Sequence, residues 1–295
     1  TLEQKISDAG PFNQRIDPHI ITTALRDLVQ EGVIYRMVRG DTYWYYLANE
    51  SETHVQRRLA ELESIYTQLR LSDITLRVGQ ALEIAVYRAL FRQSKLEFFG
   101  QFLDLDQHDD SQRYRKVEPP SQISGRTLAG NQKFDFLVRH PSAGWGGVEV
   151  KNIRQWIYPD HEDIKELLSK CLQLDCVPIL IARRIHFLTF KLFSTCGVIV
   201  HQTYNQRLPL SERELASKAK DKRLLGYHDI RLGNEPDARL NKFISVDLPA
   251  VLPEARIKFD EHKEVLENFV TGTISHQEFI KSILPQSVSI FEEYL

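Results

Sequence analysis

Residues 133–151, KFDFLVRHPSAGWGGVEVK, decide how the chain is read. Phe134, Phe136 and Val138 alternate with Asp135 and Leu137, and Val148 and Val150 alternate with Glu149 and Lys151. Between the two runs, HPSAGWGG supplies the Pro, Ser and Gly that turns require. The stretch therefore predicts two strands joined by a turn. Alternate side chains on a strand share a face, so Glu149 and Lys151 point the same way. If the strands pair, Asp135 sits beside them. Two carboxylates and one ammonium then share a small patch at positions that otherwise face a core. Burying such charges without partners is costly, and a divalent cation would justify the arrangement. Mg²⁺ prefers carboxylate and water oxygens, usually with substrate phosphate completing its shell. The plain alternative is a surface hairpin whose charges are solvated. Similar strings occur at Glu3-Gln4-Lys5 and Glu261-His262-Lys263, so the flanking elements must decide.

The flanks carry a matching order. Ile74, Val78, Ala81, Leu82, Ala85 and Ala89 recur at helical spacing, predicting a helix over 73–92. Glu83 lies next to that stripe, with Val86 and Leu90 on its own side, and a carboxylate there needs a reason. Residues 96–103 read as a strand. Residues 104–130 read as a long polar loop, of the kind that is often functional. That loop carries Arg113, Arg115, Lys116 and Arg126, placed to approach a phosphate backbone, offset by Asp104, Asp106, Asp109 and Asp110. His108-Asp109-Asp110 has metal-ligand types, but so polar a run reads as solvated. After the hairpin, Ile164, Leu167, Leu168, Cys171 and Leu172 define an amphipathic helix. The apolar strand VPILIA, a short helix over 187–195 and the strand VIVHQ follow.

Asp, a turn, then Glu-x-Lys resembles the PD-(D/E)xK nuclease superfamily, which has a restriction endonuclease-like fold. It stands here as Asp135, Glu149 and Lys151, with Phe134 in place of the usual Pro. The run VGQALEIAVYRAL resembles the first helix of that superfamily, where a Glu joins the metal site; here it is Glu83. The resemblance covers about half the chain. It implies an α/β (α+β) fold with a mixed sheet, and Mg²⁺ or Mn²⁺ held by Asp135, Glu149 and Glu83. Lys151 would position the attacking water or stabilise charge on the phosphate. Lys170 or Gln173 on the amphipathic helix would project towards the metal, as in several related nucleases.

Near the N-terminus, Ile21, Ala24, Leu25, Leu28 and Val29 predict a helix after Asp17-Pro18, stopped by Gly32. VIYRMV and YWYYLA follow, with Arg39-Gly40-Asp41 as the turn of a hairpin. Helix, turn, helix and ribbon resemble a winged helix-turn-helix. A further helix would be expected before it, upstream of Thr1. The resemblance would place His19, Thr22, Thr23 and Arg26 at a major groove, with Arg36 and Arg39 reaching the backbone from the wing. Contacts to protein, or dimerisation, are the plain alternative. Asn152 and Arg154, next to Lys151, are further candidates for contact with DNA. Trp156 and Tyr158 suit either base stacking or core packing.

The chain has 295 residues, 42% of them hydrophobic, and a net charge of −2, so any DNA binding must be local. Cys171, Cys176 and Cys196 form no disulfide framework and read as core packing. No signal peptide or long apolar run is evident, so a cytoplasmic, reduced setting without a membrane is expected. The expected organisation is a winged module over 1–50, a connecting helix over 51–71, a nuclease core over 72–207 and a C-terminal subdomain of unread role over 208–295. In that last part, Lys218, Lys220, Lys222 and Arg223 read as a solvated helix face or a DNA flank, and FISVDL as a short strand. The functional expectation is a Mg²⁺-dependent DNA endonuclease in restriction or defence, as a homodimer if it cuts both strands. Repair, junction-resolving and transposon nucleases, an RNase, and a non-catalytic DNA-binding regulator are the rivals.

Overall fold

The computed structural model describes residues 2–7, 16, 18–107 and 109–284, the side chains of residues 3, 4 and 19 excepted. Asp17 and His108, considered above as helix cap and metal ligand, lie outside the described residues. The chain divides into two compact units. One comprises Thr1–Val78 with Arg207–Gly233, the other Gly79–Gln206 with Asn234–Leu295.

The first unit opens with α1 (Leu2–Ser7), α2 (Pro18–Gln30), the strands β1 (Ile34–Arg39) and β2 (Thr42–Leu47), and α3 (Glu52–Leu69). The predicted helix and hairpin both form. Ile21 and Leu25 of α2 pack against Ile34 of β1. The strands pair from Ile34 opposite Leu47 to Arg39 opposite Thr42, leaving Gly40 and Asp41 as the turn. Gly40 has φ +57°, a conformation glycine adopts without steric cost. Ser51 caps α3, its hydroxyl accepting from the His54 N–H at 3.3 Å. The boundary between the units falls within α4 (Ser72–Phe91).

The second unit is built on a five-stranded mixed sheet. After α4 come β3 (Glu97–Phe99), β4 (Gln101–Phe102), β5 (Lys116–Val117), β6 (Gln122–Ile123), β7 (Arg126–Thr127), β8 (Phe136–His140) and β9 (Gly144–Lys151). Then follow α5 (Glu162–Leu174), β10 (Val177–Ala182), α6 (Phe187–Thr195) and β11 (Ile199–Gln202). The sheet order is β11-β10-β9-β8-β3. β3, β8 and β9 are antiparallel, and β9, β10 and β11 are parallel. The main helices and strands come in the order read from the sequence, but the single strand expected over 96–103 is split into β3 and β4, which pair in different sheets. The stretch expected as a polar loop supplies β5, which pairs with β4, and the small ribbon of β6 with β7.

Alternation along the strands separates two cores. Val148, Val150, Ile179 and Ile181 face a cluster that includes Leu82, Val86 and Leu90 of α4. Leu137, Leu180 and Ala182 face the other, with Ile164, Leu167 and Leu168 of α5. Cys171, Cys176 and Cys196 are free and buried in this second cluster.

β12 (Gln206–Leu208), α7 (Arg213–Lys220) and β13 (Ile230–Leu232) come next. Leu208, Leu215, Ala219 and Ile230 share a core with Trp44, Leu59 and Ile65 of the first unit. Lys218 and Lys220 are exposed on α7, and Lys218 pairs with Glu214 at 2.6 Å. The rest is α8 (Ala238–Lys242), α9 (Leu248–Val270) and α10 (His276–Ile283). The expected strand in FISVDL is absent: Phe243–Asp247 forms a π-helical turn joining α8 to α9. Phe243, Ile244, Leu248 and Leu252 bury at i, i+1, i+5 and i+9, a helical spacing that covers the α4 side of the sheet. Further along, Phe259, Leu266, Phe269 and Phe279 bury in the α5 cluster. Among the described residues no helix is long and apolar enough to cross a membrane.

Candidate active site

Asp135 immediately precedes β8 and is tied to β9 through both backbone and side chain. Its N–H donates to the Val148 carbonyl at 3.1 Å, and its Oδ2 accepts from the Val150 N–H at 2.7 Å. One carboxylate oxygen is therefore fixed. The other, Oδ1, lies 3.3 Å from Lys116 Nζ. Gly147 leaves room for this crossing, since a Cβ there would stand 2.5 Å from the Phe134 ring.

Glu149 and Lys151 leave β9 on the face that α5 covers, beside Leu180 and Ala182 of β10. Asp163, Glu166 and Lys170 recur at i, i+3 and i+7 on α5, so one helix side meets both residues. Lys151 Nζ lies 2.8 Å from Asp163 Oδ1 and 3.7 Å from Glu149 Oε2. Lys170 is buried and donates to Glu149 Oε1, to Glu166 Oε1 at 3.0 Å and to the Lys133 carbonyl at 2.8 Å. Glu83 comes from α4, which packs on the opposite face of the sheet, and its Oε2 accepts from Lys116 Nζ at 2.7 Å. Lys116 thus joins Glu83 to Asp135.

The electrostatics follow from this crowding. Burial, then the Asp135 charge, raise the Glu83 carboxyl to about 7 against the pull of Lys116. Burial and Asp135 likewise raise Glu149 to about 7 against Lys170 and Lys151. Asp135 is the shared like charge in both cases, so it is electrostatically coupled to each glutamate. Burial would lower the Lys151 ammonium, but its bond to Asp163 and the Glu149 charge hold it above the usual lysine range. Lys151 is therefore a cation at neutral pH and cannot serve as a base there.

Oxygen donors on two glutamates and one aspartate suit a hard divalent cation. Excess carboxylate charge in a partly buried site is what such an ion would neutralise. The side-chain positions do not present these groups as a ready ligand set, and among the described residues no three His, Cys, Asp or Glu side chains cluster as one. Lys116 and Lys170 take the carboxylate oxygens instead. The donor chemistry of the three carboxylates fits the ion, while their side chains are not gathered around one point in this structure.

The remaining residues singled out in the sequence are distributed as follows. Asn152 is buried, and its carbonyl accepts from Gln206 Nε2 at 3.3 Å. Arg154 donates to Gln206 Oε1 at 3.3 Å. Tyr158 stacks on His186 with ring centroids 4.8 Å apart, so its face has a protein partner. Gln173 turns away to Ala129 and Gln132. Arg115 pairs with Asp104 at 3.1 Å, and the Asp110 carboxylate accepts from Asn234 at 2.9 Å.

In the first unit, Thr22 is exposed, its hydroxyl donating to the Pro18 carbonyl at 2.9 Å, and Thr23 is half-buried. Arg26 is exposed, 3.9 Å from Asp27. Arg36 rests over the Tyr43 ring at 4.9 Å, and Arg39 is exposed beside the turn. The side chain of His19 lies outside the described residues.

Sequence reading missed the role of Lys116, which it assigned to phosphate contact, and gave no role to Asp163 or Glu166. The periodicity of α5 was the available signal for the last two. No protein-family model, curated protein or solved structure matches this chain significantly.

Proposed function

We propose that this chain is a divalent-cation-dependent DNA endonuclease of the PD-(D/E)xK type, with a restriction endonuclease-like sheet and an N-terminal winged helix as the DNA reader. One observation carries the reading: Asp135, Glu149 and Lys151 on paired strands and Glu83 on a helix are joined through Lys116, Lys170 and mutual charge in a largely buried cluster. The order of helix, three antiparallel strands, helix, strand, helix and strand supports it further.

Asp135, Glu149 and Glu83 would hold Mg²⁺ or Mn²⁺. When bound, the ion would supply charge neutralisation at the phosphate and acidify a water. Asp135 keeps its orientation through the Val150 N–H. Lys151, held charged between Asp163 and Glu149, donates to the water or to a phosphate oxygen as charge develops there. Thr22, Arg26, Arg36 and Arg39 are the exposed groups offered to the duplex by the reader. Restriction or another defence role is the setting we favour, because it joins a reader to a cutter, and cutting both strands would call for a homodimer.

The test is incubation with plasmid, linear and single-stranded DNA and with RNA, in Mg²⁺, Mn²⁺ or EDTA. Cleavage of DNA that needs the metal supports the proposal. Cleavage confined to RNA would replace DNA as substrate, and binding without cleavage in every metal would contradict catalysis. That last outcome belongs to the second reading, a DNA-binding regulator with a degenerate nuclease domain. The pairing of Glu83, Asp135 and Glu149 with lysines favours it.

A further inference from the structure

Lys116 sits at the meeting of the polar loop and the sheet. It lies on β5, opposite Phe102 of β4, and its side chain is only 9% exposed. Its Nζ is 2.7 Å from Glu83, 3.3 Å from Asp135 and 3.7 Å from Glu118. The rings of Phe102 and Phe136 stand 5.8 and 5.1 Å from the ammonium. One cation is thus ringed by three carboxylates and two aromatic faces.

We propose that Lys116 is an internal counter-cation that competes with the divalent ion for Glu83 and Asp135 and leaves them when the ion binds. The inference rests on the metal-dependent reading above. Two cations cannot share the same carboxylate oxygens without strong repulsion at these distances. Asp135 cannot turn to serve both, because the Val150 N–H holds its Oδ2. Lys116 can move, because a lysine ammonium is a point charge on a flexible four-carbon stem.

Glu118 gives the departing ammonium somewhere to go. It is already within ion-pair distance, and its side chain is 36% exposed, towards solvent. Lys170 differs. It is 1% exposed and fixed by two carboxylates and a backbone carbonyl, so it stays with Glu149. Lys116 therefore keeps two half-buried carboxylates paired before the ion arrives and weakens the site's affinity for it.

The experiment measures Mn²⁺ binding by calorimetry to the full chain without DNA, for wild type, Lys116→Met and Lys116→Arg. Lys116→Met should bind about tenfold more tightly than wild type, and Lys116→Arg, which keeps the charge, should not. A second readout uses wild type alone: amine acylation of Lys116, followed by mass spectrometry, should rise when Mn²⁺ is added. This decides the matter if Lys116→Met fails to fold. Mn²⁺ binding by wild type with Lys116 acylation unchanged, and equal or weaker binding by Lys116→Met, would overturn the role of Lys116 and leave the metal site standing. Absence of Mn²⁺ binding in all three proteins would overturn both.

Discussion

Glu149 has to be buried beside a core and yet stay able to bind a cation. Its position on β9 puts it against α5, where Lys170 meets it, while Asp135 opposes its charge. Glu83 is in the same condition with Lys116. Both carboxyls titrate higher in the folded chain than their ordinary value of 4.5, at about 7. The folded state then binds more protons than the unfolded state between those values. The stabilisation from the protonated carboxyls is complete below 4.5 and lost as pH rises through about 7. Glu83→Gln cannot ionise, so without metal it should gain stability relative to wild type between about pH 5 and about pH 8. Urea midpoints at the two pH values check this, and an unchanged difference would contradict it. Asp135, Glu149 and Lys151 were legible because alternation on a strand is local. The partnership of Lys116 with Glu83 was not, since the two are separated by 33 residues and joined only by tertiary packing.

The β8–β9 hairpin packs tightly where the Phe134 ring lies on Gly147. A Cβ on Gly147 would meet Phe134 Cε1 at 2.5 Å and Cζ at 2.6 Å, and that ring is buried with the Lys170 ammonium 5.2 Å away. Gly147→Ala should therefore cost about 1–3 kcal/mol of stability, the usual penalty for overpacking. Denaturant unfolding measures it, and an unchanged midpoint would mean that the ring has room to move. The β1–β2 hairpin carries Arg36 and Arg39 exposed. If it meets the DNA backbone, replacing both by Ala should weaken binding to all sequences alike. It should also reduce the salt slope of affinity by about one for each phosphate the hairpin no longer neutralises. Unchanged affinity and slope would move DNA contact elsewhere. α2, α4, α5 and the hairpins β1–β2 and β8–β9 were readable from period and turn residues. FISVDL was not, because β-branched and aromatic residues followed by Pro249 read as a strand, whereas burial against the sheet makes the segment helical.

The two compact units each collect distant pieces of chain. Residues 207–233 cluster with the N-terminal 78 residues, and the sheet unit resumes at Asn234. A boundary at 207/208 was read from the sequence, but the return of residues 207–233 to the N-terminal unit was not, because it rests on tertiary packing between distant segments. The C-terminal segment lacked a functional reading, yet α8, α9 and α10 supply Leu240, Leu248, Leu252, Phe259, Leu266 and Phe279, each buried in one of the two sheet cores. Deleting residues 234–295 should leave a chain that does not unfold cooperatively, as circular dichroism melting would show. A sharp transition retained by the remaining sheet unit would contradict this packing account.

The most direct measurement of the central claim is cleavage and binding of the same DNA by wild type and Lys151→Ala in Mg²⁺. Lys151 is 22% exposed and its loss leaves the half-buried Asp163 carboxylate short of a partner, so Lys151→Ala should cost about 1–3 kcal/mol of stability, which denaturant unfolding measures. Cleavage by Lys151→Ala should fall by at least about 100-fold while DNA binding and fold are kept. Undiminished cleavage by Lys151→Ala would contradict the central claim.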